Sequence, residues 1–419
     1  MNKILLSSNK IPISSFDKKS LNEISKNDFV DQICVYPDIY QKEHKEWPSG
    51  ILVNTKGKIM PPLTGSRLGC GMVGIKLGKL DLDEDSLLDL SNRFVNILPV
   101  TKRQNKKNYS FSEFKSNLNF IEKDNFSFKL NPLLIDSVIN NYSFDAISDS
   151  TMIDANRQLG VPGLVGNHFI ELQQIESIYE PRFSEVFGLN KGDYFLLIHM
   201  DSKDLNLKLE SSFRKNKFLV LNENSKLASR FHNISMFMEK YCSLNRLVVA
   251  DKIVKAIEEI IPVKAELLYD STHESLNKSE LNGKTIWRHH AGVAFANAKG
   301  SKKIFKKFRS IGQPIFLPGG MGAENYILAS QNTKPIFESI NHGAGRKVPK
   351  SEAREKFKNM NISDTFVKKN AILRQLTGRE LISQISLSYK PIDLIDDLVV
   401  AEGYAKNVAK TRANIIIKG

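Results

Sequence analysis

Four short glycine-containing segments, far apart in this 419-residue chain, constrain its fold more than any other feature. They cover residues 65–71, 163–166, 319–322 and 343–345. Glycine lets the backbone approach a ligand closely and exposes amides that can hold anionic oxygens. Each segment also carries a polar or metal-binding side chain in it or beside it. One such turn would mean little, but four predict a fold that assembles a single site from distant loops.

Helical and strand patterns alternate along the chain without the regular rhythm of a doubly wound sheet. Apolar residues recur at helical spacing in one stretch, and they are Phe237, Tyr241, Leu244, Val248, Val254, Ile257 and Ile261. We expect Ser235 to cap the start of that helix. Short β-prone runs at 194–198, 314–317 and 415–417 predict strands, and the first of them leads into His199. This mixture favours an α+β architecture.

The domain organisation that we predict is one large α+β domain over residues 1–419. The stretch 102–141 is rich in Lys, Asn, Ser and Phe and has no clean periodicity. It therefore predicts a surface insertion or flap on that domain.

The charge and cysteine content limit the partners and the compartment. Sixty Lys and Arg residues against 46 Asp and Glu give a formal charge of +14, which favours a polyanion such as nucleic acid. A Lys- and Asn-rich composition can equally reflect an AT-rich genome. Three cysteines form no disulfide framework in a chain this long. Since no secretion signal or membrane-spanning run is evident, we expect a cytoplasmic protein.

One cysteine and several histidines stand next to the glycine-containing segments or at the ends of predicted strands. Cys70 is flanked by glycines, His168 follows Asn167, and His199 ends a strand. A thiol together with imidazoles suits Mn, Fe, Co or Zn better than Mg or Ca. Taken singly, each histidine is more often a structural residue, and no short-range zinc-finger spacing is present. The motifs therefore have to be weighed together.

Taken together and in order, the motifs resemble the RtcB family of RNA ligases. The most specific of them read GNHFIE at 166–171, PGGMG at 318–322, HGAGR at 342–346 and IKG at 417–419. Weaker similarities lie at 36–39, 244–246 and 389–390. The resemblance extends from about residue 36 to residue 419, which is most of the chain.

The resemblance implies an activity and a catalytic set. A protein of this kind joins an RNA 2′,3′-cyclic phosphate or 3′-phosphate end to a 5′-hydroxyl end and uses GTP and Mn²⁺. Its substrates would be tRNA halves or other broken RNA ends. His342 matches the histidine that becomes guanylylated, and Asp38 and Arg346 complete the expected catalytic residues. A neutral imidazole can attack the α-phosphorus while metal ions neutralise phosphate charge.

The resemblance also implies two sets of ligand-binding residues. The metal ligands would be Cys70, His168, His199 and His273. The nucleotide contacts would be Asn167, Glu171, Gly320, Asn325, Gly343, Ala344, Gly345, Tyr389 and Lys418.

The most consequential departure from the family pattern is Arg67, which stands where the family has an aspartate ligand of a second metal ion. A guanidinium cannot ligate a cation, and its charge repels one nearby. We therefore predict one secure metal site, formed by Cys70, His199 and His273. A second site, sharing Cys70 and His168, should be weakened.

Further departures fall on Tyr40, the segments 199–203 and 288–292, Glu274, and Gly320. Asp201 and Glu274 are candidate replacement carboxylates, although their location does not follow from the sequence. The guanylylation half thus matches the family better than the metal and RNA-end half.

Two alternatives to an RNA ligase stay open at this point. One is a guanylyltransferase that passes GMP to a different acceptor. The other is a non-catalytic protein of the RtcB type that binds RNA or nucleotide. His342, Asn167 and Lys418 speak against the second alternative, and Arg67 speaks for it.

Overall fold

The strands that the structure describes form two large sheets and two small ones. The structure is a computed structural model that describes residues 3–40, 47–99, 126–130, 147–281, 283–331, 338–368, 370–378 and 380–419. The predicted flap at 102–141 lies outside the described residues, apart from 126–130. Within 126–130, a two-residue strand joins one of the large sheets.

The strands within the described ranges, in chain order, are β1 (Ile4–Leu6), β2 (Val30–Tyr40), β3 (Ser49–Thr55), β4 (Lys58–Ile59), β5 (Gly71–Gly78), β6 (Phe128–Lys129), β7 (Phe169–Ile178), β8 (Tyr194–Met200), β9 (Leu221–Asn222), β10 (Ala265–Thr272), β11 (Glu274–Leu281), β12 (Lys284–Ala291), β13 (Val293–Phe295), β14 (Pro314–Pro318), β15 (Glu324–Ser330), β16 (Ser339–Asn341), β17 (Ile372–Gln375) and β18 (Ala405–Lys418).

The helices of the same ranges are α1 (Ser15–Ser25), α2 (Glu84–Ile97), α3 (Asp149–Gln158), α4 (Pro181–Phe187), α5 (Lys203–Arg214), α6 (Lys226–Glu258), α7 (Lys350–Phe357) and α8 (Ile392–Ala401). Side-chain caps begin four of them, from Ser14, Asp83, Ser148 and Ser225. These caps accept backbone N–H groups that have no partner inside the first helical turn.

The larger of the two main sheets has the order β14-β15-β18-β7-β8-β5-β10-β6, with β17 paired to β18. The other runs β1-β2-β3-β12-β11. Most neighbouring strands are antiparallel, while β1–β2, β6–β10 and β17–β18 are parallel. Mixed sheets covered by helices confirm the predicted α+β class.

Strand β18 shows where the apolar pattern understates an element. The run 415–417 is completely buried, as expected, but the strand begins ten residues earlier, at Ala405. Polar residues interrupt the apolar pattern, and they are satisfied inside the sheet. The Thr411 hydroxyl donates to Gln173 at 2.7 Å, and the Asn414 amide donates to the Tyr194 hydroxyl at 3.4 Å.

Helix α6 is longer than the sequence predicts, and the prediction that Ser235 caps it is wrong. The cap is Ser225, whose hydroxyl accepts from the backbone of Ala228. Ser235 lies buried inside the helix and accepts from the backbone N–H of Leu276 in β11 at 3.0 Å. A serine can therefore mark a helix-to-strand contact instead of a helix start. The helix ends at Glu258, before Ile261.

Four neighbouring strands of the larger sheet bring the predicted metal ligands to one edge. His168 directly precedes β7, His199 is the penultimate residue of β8, Cys70 directly precedes β5, and His273 directly follows β10. In the antiparallel register, His199 pairs with both Phe169 and Met72. Because adjacent antiparallel strands begin and end at the same edge, this register places all four side chains there.

Candidate metal and nucleotide site

Three of the predicted metal ligands form a compact buried group. The ligand atoms of Cys70, His168 and His199 all lie within 4.8 Å of one another. The Cys70 Sγ is 3.2 Å from the His168 Nε2 and 3.5 Å from the His199 Nε2. One sulfur and two imidazole nitrogens fit a divalent ion of the Mn, Fe, Co or Zn type.

The orientation of His168 suits a ligand. Its Nδ1 lies 2.6 Å from the carbonyl oxygen of Gly163, so Nδ1 carries the proton and donates it. The Nε2, which lies 3.2 Å from the Cys70 Sγ, therefore carries the lone pair of the ring. A backbone carbonyl that fixes the ring in this way is the usual partner of a metal-binding imidazole.

His273 stands next to this group. Its Nε2 is 3.3 Å from the Nε2 of His199. The predicted set of Cys70, His199 and His273 thus differs from the compact set, in which His168 takes the third place. All four predicted ligands nevertheless form one continuous buried cluster.

Burial controls the protonation of the cluster. It lowers the pKa of His199 well below the ordinary value, and the neighbouring imidazoles of His168 and His273 lower it further. Burial also raises the pKa of the Cys70 thiol, and the carboxylates of Asp201 and Glu274 add to the rise. The His199 imidazole is therefore neutral and able to bind a metal ion. The thiol, by contrast, needs a nearby cation to lose its proton.

Arg67 and both candidate replacement carboxylates meet beside Cys70. The Arg67 Nη1 lies 3.3 Å from the Asp201 Oδ2, and the Arg67 backbone N–H donates to the Glu274 carboxylate. Burial raises the pKa of Asp201 to about 7, which Arg67 opposes and Glu274 reinforces. The sequence separates Arg67 from Asp201 by 134 positions, so nothing local could have predicted this pair.

Sequence reasoning missed Arg246 as a component of the site. Its guanidinium is completely buried and bonds Asp270 through two nitrogens, at 2.6 and 2.9 Å. The same group donates to the carbonyl oxygen of Gly69 at 2.8 Å and to that of Met200 at 3.3 Å. Nη2 also lies 3.4 Å from the Thr272 hydroxyl.

These contacts make Arg246 a positioning residue for the metal cluster. Each residue that it holds, apart from Asp270, is the chain neighbour of a predicted ligand, namely Cys70, His199 or His273. The available signal was a charged residue within the apolar pattern of a predicted helix.

His342 has its imidazole fixed by two acceptors. The Nδ1 atom is 2.7 Å from the carbonyl oxygen of Gly292 and 3.0 Å from the Asp38 Oδ2. Since both partners accept, Nδ1 carries the proton and Nε2 keeps its lone pair. The ring centre lies 4.4 Å from that of His273 and 6.1 Å from that of His199. His273 and His342 line the same narrow depression, which is too tight to hold a water molecule.

The loop after His342 packs closely on two other segments. Gly345 has φ +67°, and a side chain there would strike the carbonyl of Asp38. The Ala344 N–H donates to the Pro318 carbonyl at 3.1 Å, and Gly343 lies against the same residue. The segment 343–345 is thereby joined to Pro318, the residue directly before the segment 319–322.

Arg346 is engaged by the protein itself. Its nitrogens donate to Val348 O at 3.1 Å, Ser383 O at 2.7 Å and the Tyr389 hydroxyl at 3.1 Å. Tyr389 in turn lies against Gly320. The guanidinium of this expected catalytic residue therefore holds the loop segments at 346–348 and 383–389 together in this structure.

The remaining predicted nucleotide contacts form a second buried group, with one exception. The Asn325 amide donates to the Glu171 carboxylate at 3.3 Å and accepts from the Gly319 N–H at 3.2 Å. Burial raises the pKa of Glu171 to about 7 and lowers that of Lys418 to about 8, and each group partly offsets the shift of the other. Asn167, in contrast, lies exposed in the turn before His168.

Residues 288–291 of the segment 288–292 belong to β12, and Gly292 follows it. His289 accepts from the Met60 N–H at 3.1 Å and lies 3.1 Å from the Val53 carbonyl. His290 is completely buried beside Phe295. The imidazoles of His289 and His290 are buried against the smaller main sheet. The Gly292 carbonyl that ends the segment accepts from the His342 Nδ1–H.

The fold and the site together define an α+β protein with a buried thiol–imidazole cluster next to a glycine-flanked histidine. The family model described as tRNA-splicing ligase RtcB matches residues 20–419. The chain belongs to the RtcB family.

Individual relatives agree with that membership. A protein named tRNA-splicing ligase RtcB from Nanoarchaeum equitans is 25% identical over 398 residues, covering 86% of this chain and 82% of the relative. Proteins of the same name from Pyrococcus abyssi and Thermococcus kodakarensis are 26% and 25% identical over 301 residues. Those alignments cover 66% of this chain, but only 33% and 62% of the two relatives.

Among the helices of the described ranges, none combines the length and the apolar character that crossing a membrane requires.

Proposed function

We propose that the protein is a GTP- and Mn²⁺-dependent RNA ligase that works through a guanylylated His342. The observation that carries the proposal is the double acceptor at the His342 Nδ1, which leaves a free lone pair on Nε2. This imidazole lies against His273, at the edge of the buried metal-binding group. Membership in the RtcB family and the basic charge of +14 support RNA as the substrate.

The first step transfers GMP to the protein. The Nε2 lone pair of His342 attacks the α-phosphorus of GTP, and the bond to the bridging oxygen breaks. Pyrophosphate leaves with that electron pair. The Asp38 carboxylate and the Gly292 carbonyl face Nδ1–H and stabilise the positive charge that develops on the ring.

The next steps join the RNA. Water first opens a 2′,3′-cyclic end to a 3′-phosphate. An oxygen of that phosphate attacks the phosphorus of the guanylylated histidine, and the P–N bond breaks with its electrons returning to Nε2. The 5′-hydroxyl oxygen then attacks the activated RNA phosphate. GMP leaves with the electron pair, and the hydroxyl proton passes to solvent.

Different residues of the site would bind the metal ion and the nucleotide. Cys70, His168 and His199 would hold one divalent ion, and a bound ion supplies Lewis-acid neutralisation of phosphate charge. Lys418 supplies a buried cation for the nucleotide phosphates. Glu171 and Asn325 offer acceptors and donors for the guanine edge, and Tyr389 offers an aromatic face.

The direct test uses GTP labelled at the α-phosphorus. Incubation with Mn²⁺ should place label on the chain, and His342→Ala should abolish it. His232→Ala is the matched control, because His232 is half-buried against Trp287, outside the described cluster. The labelled protein should then seal an RNA that carries a cyclic phosphate.

Two other outcomes would replace the proposal. Label that depends on His342 but never reaches RNA indicates a guanylyltransferase with a different acceptor. A folded protein that takes no label is a nucleotide- or RNA-binding member of the family without ligase activity.

A further inference from the structure

The surroundings of Cys70 hold more negative than positive formal charge. Four buried or half-buried carboxylates belong to them, and these are Asp201, Glu210, Asp270 and Glu274. Three guanidiniums oppose them, and these are Arg67, Arg214 and Arg246. One carboxylate is left over. Once Cys70 ionises to bind a metal, the excess is two negative charges, which one divalent ion balances.

Each guanidinium has a definite carboxylate partner. Arg246 bonds Asp270, and Arg214 bonds Glu210. The remaining cation, Arg67, lies between the other two carboxylates. Its side chain contacts Asp201, while its backbone N–H donates to the carboxylate of Glu274.

Asp201 is the group with unused capacity to bind a cation. It is completely buried, and its Oδ1 has no hydrogen-bond partner among the described residues. A buried carboxylate oxygen without a donor is unfavourable unless a cation or a donor faces it. The only described side chain that bonds Asp201 is Arg67, through Oδ2 at 3.3 Å.

We propose that the Arg67 guanidinium acts as a built-in cation that closes a second divalent-ion site formed by Asp201, Glu274 and Cys70. Its single positive charge offsets one of the two carboxylate charges and repels a second dication. One metal ion therefore remains, held by Cys70, His168 and His199. This inference rests on the metal centre of the proposed function.

Removing the charge of Arg67 should open the closed site. With Arg67→Met, the surroundings of Cys70 gain one net negative charge, and the oxygens of Asp201 are free to bind. We expect wild-type protein to bind one equivalent of Mn²⁺ and Arg67→Met to bind two. Equilibrium dialysis with metal analysis gives the count, and electron paramagnetic resonance should show spin coupling between two neighbouring Mn²⁺ ions only in the variant.

Matched variants separate charge from shape. Arg67→Lys keeps the positive charge and should still bind one ion. The double variant Arg67→Met with Asp201→Asn loses the carboxylate as well and should return to one ion. Thermal unfolding of each protein without metal reports whether it is folded, and Arg67→Gln replaces Arg67→Met if that variant is not.

Three results would overturn the inference: two tightly bound ions in the wild-type protein, one ion in a folded Arg67→Met or Arg67→Gln variant, or no bound ion in any of them. The last would also remove the metal centre of the proposed function. One ion in the wild type and two in Arg67→Met, without labelling of His342, would refute the nucleotidyl transfer and leave the role of Arg67 standing.

Discussion

The two halves of the site are opposite in charge and in construction. Around Cys70, carboxylates outnumber guanidiniums, and charged side chains from different elements hold the strand ends in place. Around His342, the glycine-containing loop 343–345 is held by backbone contacts with Pro318 and Asp38. There three buried or half-buried cations, Arg346, Lys390 and Lys418, outnumber the two buried carboxylates, Asp38 and Glu171.

The difference fits the two ligands of the proposed function. An excess of buried negative charge is costly unless a cation completes it, and an excess of buried positive charge calls for an anion. A metal ion would complete the half around Cys70, here called the metal half, and a nucleotide phosphate would complete the half around His342, here called the nucleotide half. The contact between His273 and His342 joins the halves.

The largest effect that we predict follows from removing Arg246, whose positive charge balances Asp270 in the metal half. Arg246→Met leaves the Asp270 carboxylate buried without its cation, which should lower the free energy of unfolding by about 3–5 kcal/mol. The carbonyl groups of Gly69 and Met200 also lose their donor, so Mn²⁺ affinity should fall roughly tenfold to a hundredfold. Urea unfolding and metal titration measure the two effects separately.

A double variant distinguishes positioning from general stability. Arg246→Met with Asp270→Asn removes both charges and should recover much of the lost stability. The two carbonyl groups next to Cys70 and His199 still lack a donor, so the metal affinity should stay low. If affinity recovers together with stability, Arg246 has no separate positioning role.

Glu171 is a buried acid of the nucleotide half, and we predict that its ionisation makes the stability of the protein depend on pH. Burial raises the pKa of Glu171 from 4.5 to about 7. Between these two pH values, the Glu171 side chain keeps its proton in the folded protein, whereas the unfolded chain has already lost it. The contribution of Glu171 to the free energy of unfolding is complete below pH 4.5 and is lost as pH rises through 7. The loss amounts to about 3 kcal/mol.

Glu171→Gln should remove this part of the pH dependence. Urea unfolding at pH 5 and pH 7.5 is expected to show a smaller loss of stability in the variant than in the wild type. Asp201 and Asp396 also have pKa values raised to about 7, so the wild-type decline contains their contributions too. Equal declines in the two proteins would mean that Glu171 ionises normally in the fold.

The sequence indicated most of the ligand-type residues, because short motifs carry them next to recognisable elements. The run 194–198 predicted the strand that carries His199, and the structure confirms a strand there. The glycine-containing segments predicted a site assembled from distant loops, and the segment 343–345 does contact Pro318, the residue directly before the segment 319–322. These features depend on local patterns that a single sequence shows.

Contacts between residues far apart in the sequence could not be predicted from the sequence. The pairing of Arg67 with Asp201 and the reach of Arg246 to Gly69 depend on the register of the sheet. The capping prediction failed at Ser235 for a related reason, since a buried serine can bond a neighbouring strand instead of starting a helix. Propensity describes a residue's own segment, whereas packing decides its partners.

The smallest effect that we predict tests how the nucleotide half serves His342. Asp38→Asn keeps the size of the side chain and an acceptor oxygen for Nδ1–H, but it removes the negative charge beside the ring. The Gly292 carbonyl still fixes the tautomer, so His342 stays able to attack. The positive charge that develops on the imidazole is less stabilised, and the labelling rate should fall roughly tenfold to a hundredfold.

The kinetic pattern decides what Asp38 does. A charge-stabilising role lowers the rate at saturating GTP and leaves the GTP concentration at half-maximal rate unchanged, because the interaction strengthens only as the charge develops. The matched control is Asp393→Asn, an exposed carboxylate that accepts from the Tyr326 hydroxyl. If Asp38→Asn weakens GTP binding and leaves the maximal rate intact, the carboxylate orders the loop and His342 relies on Gly292 alone.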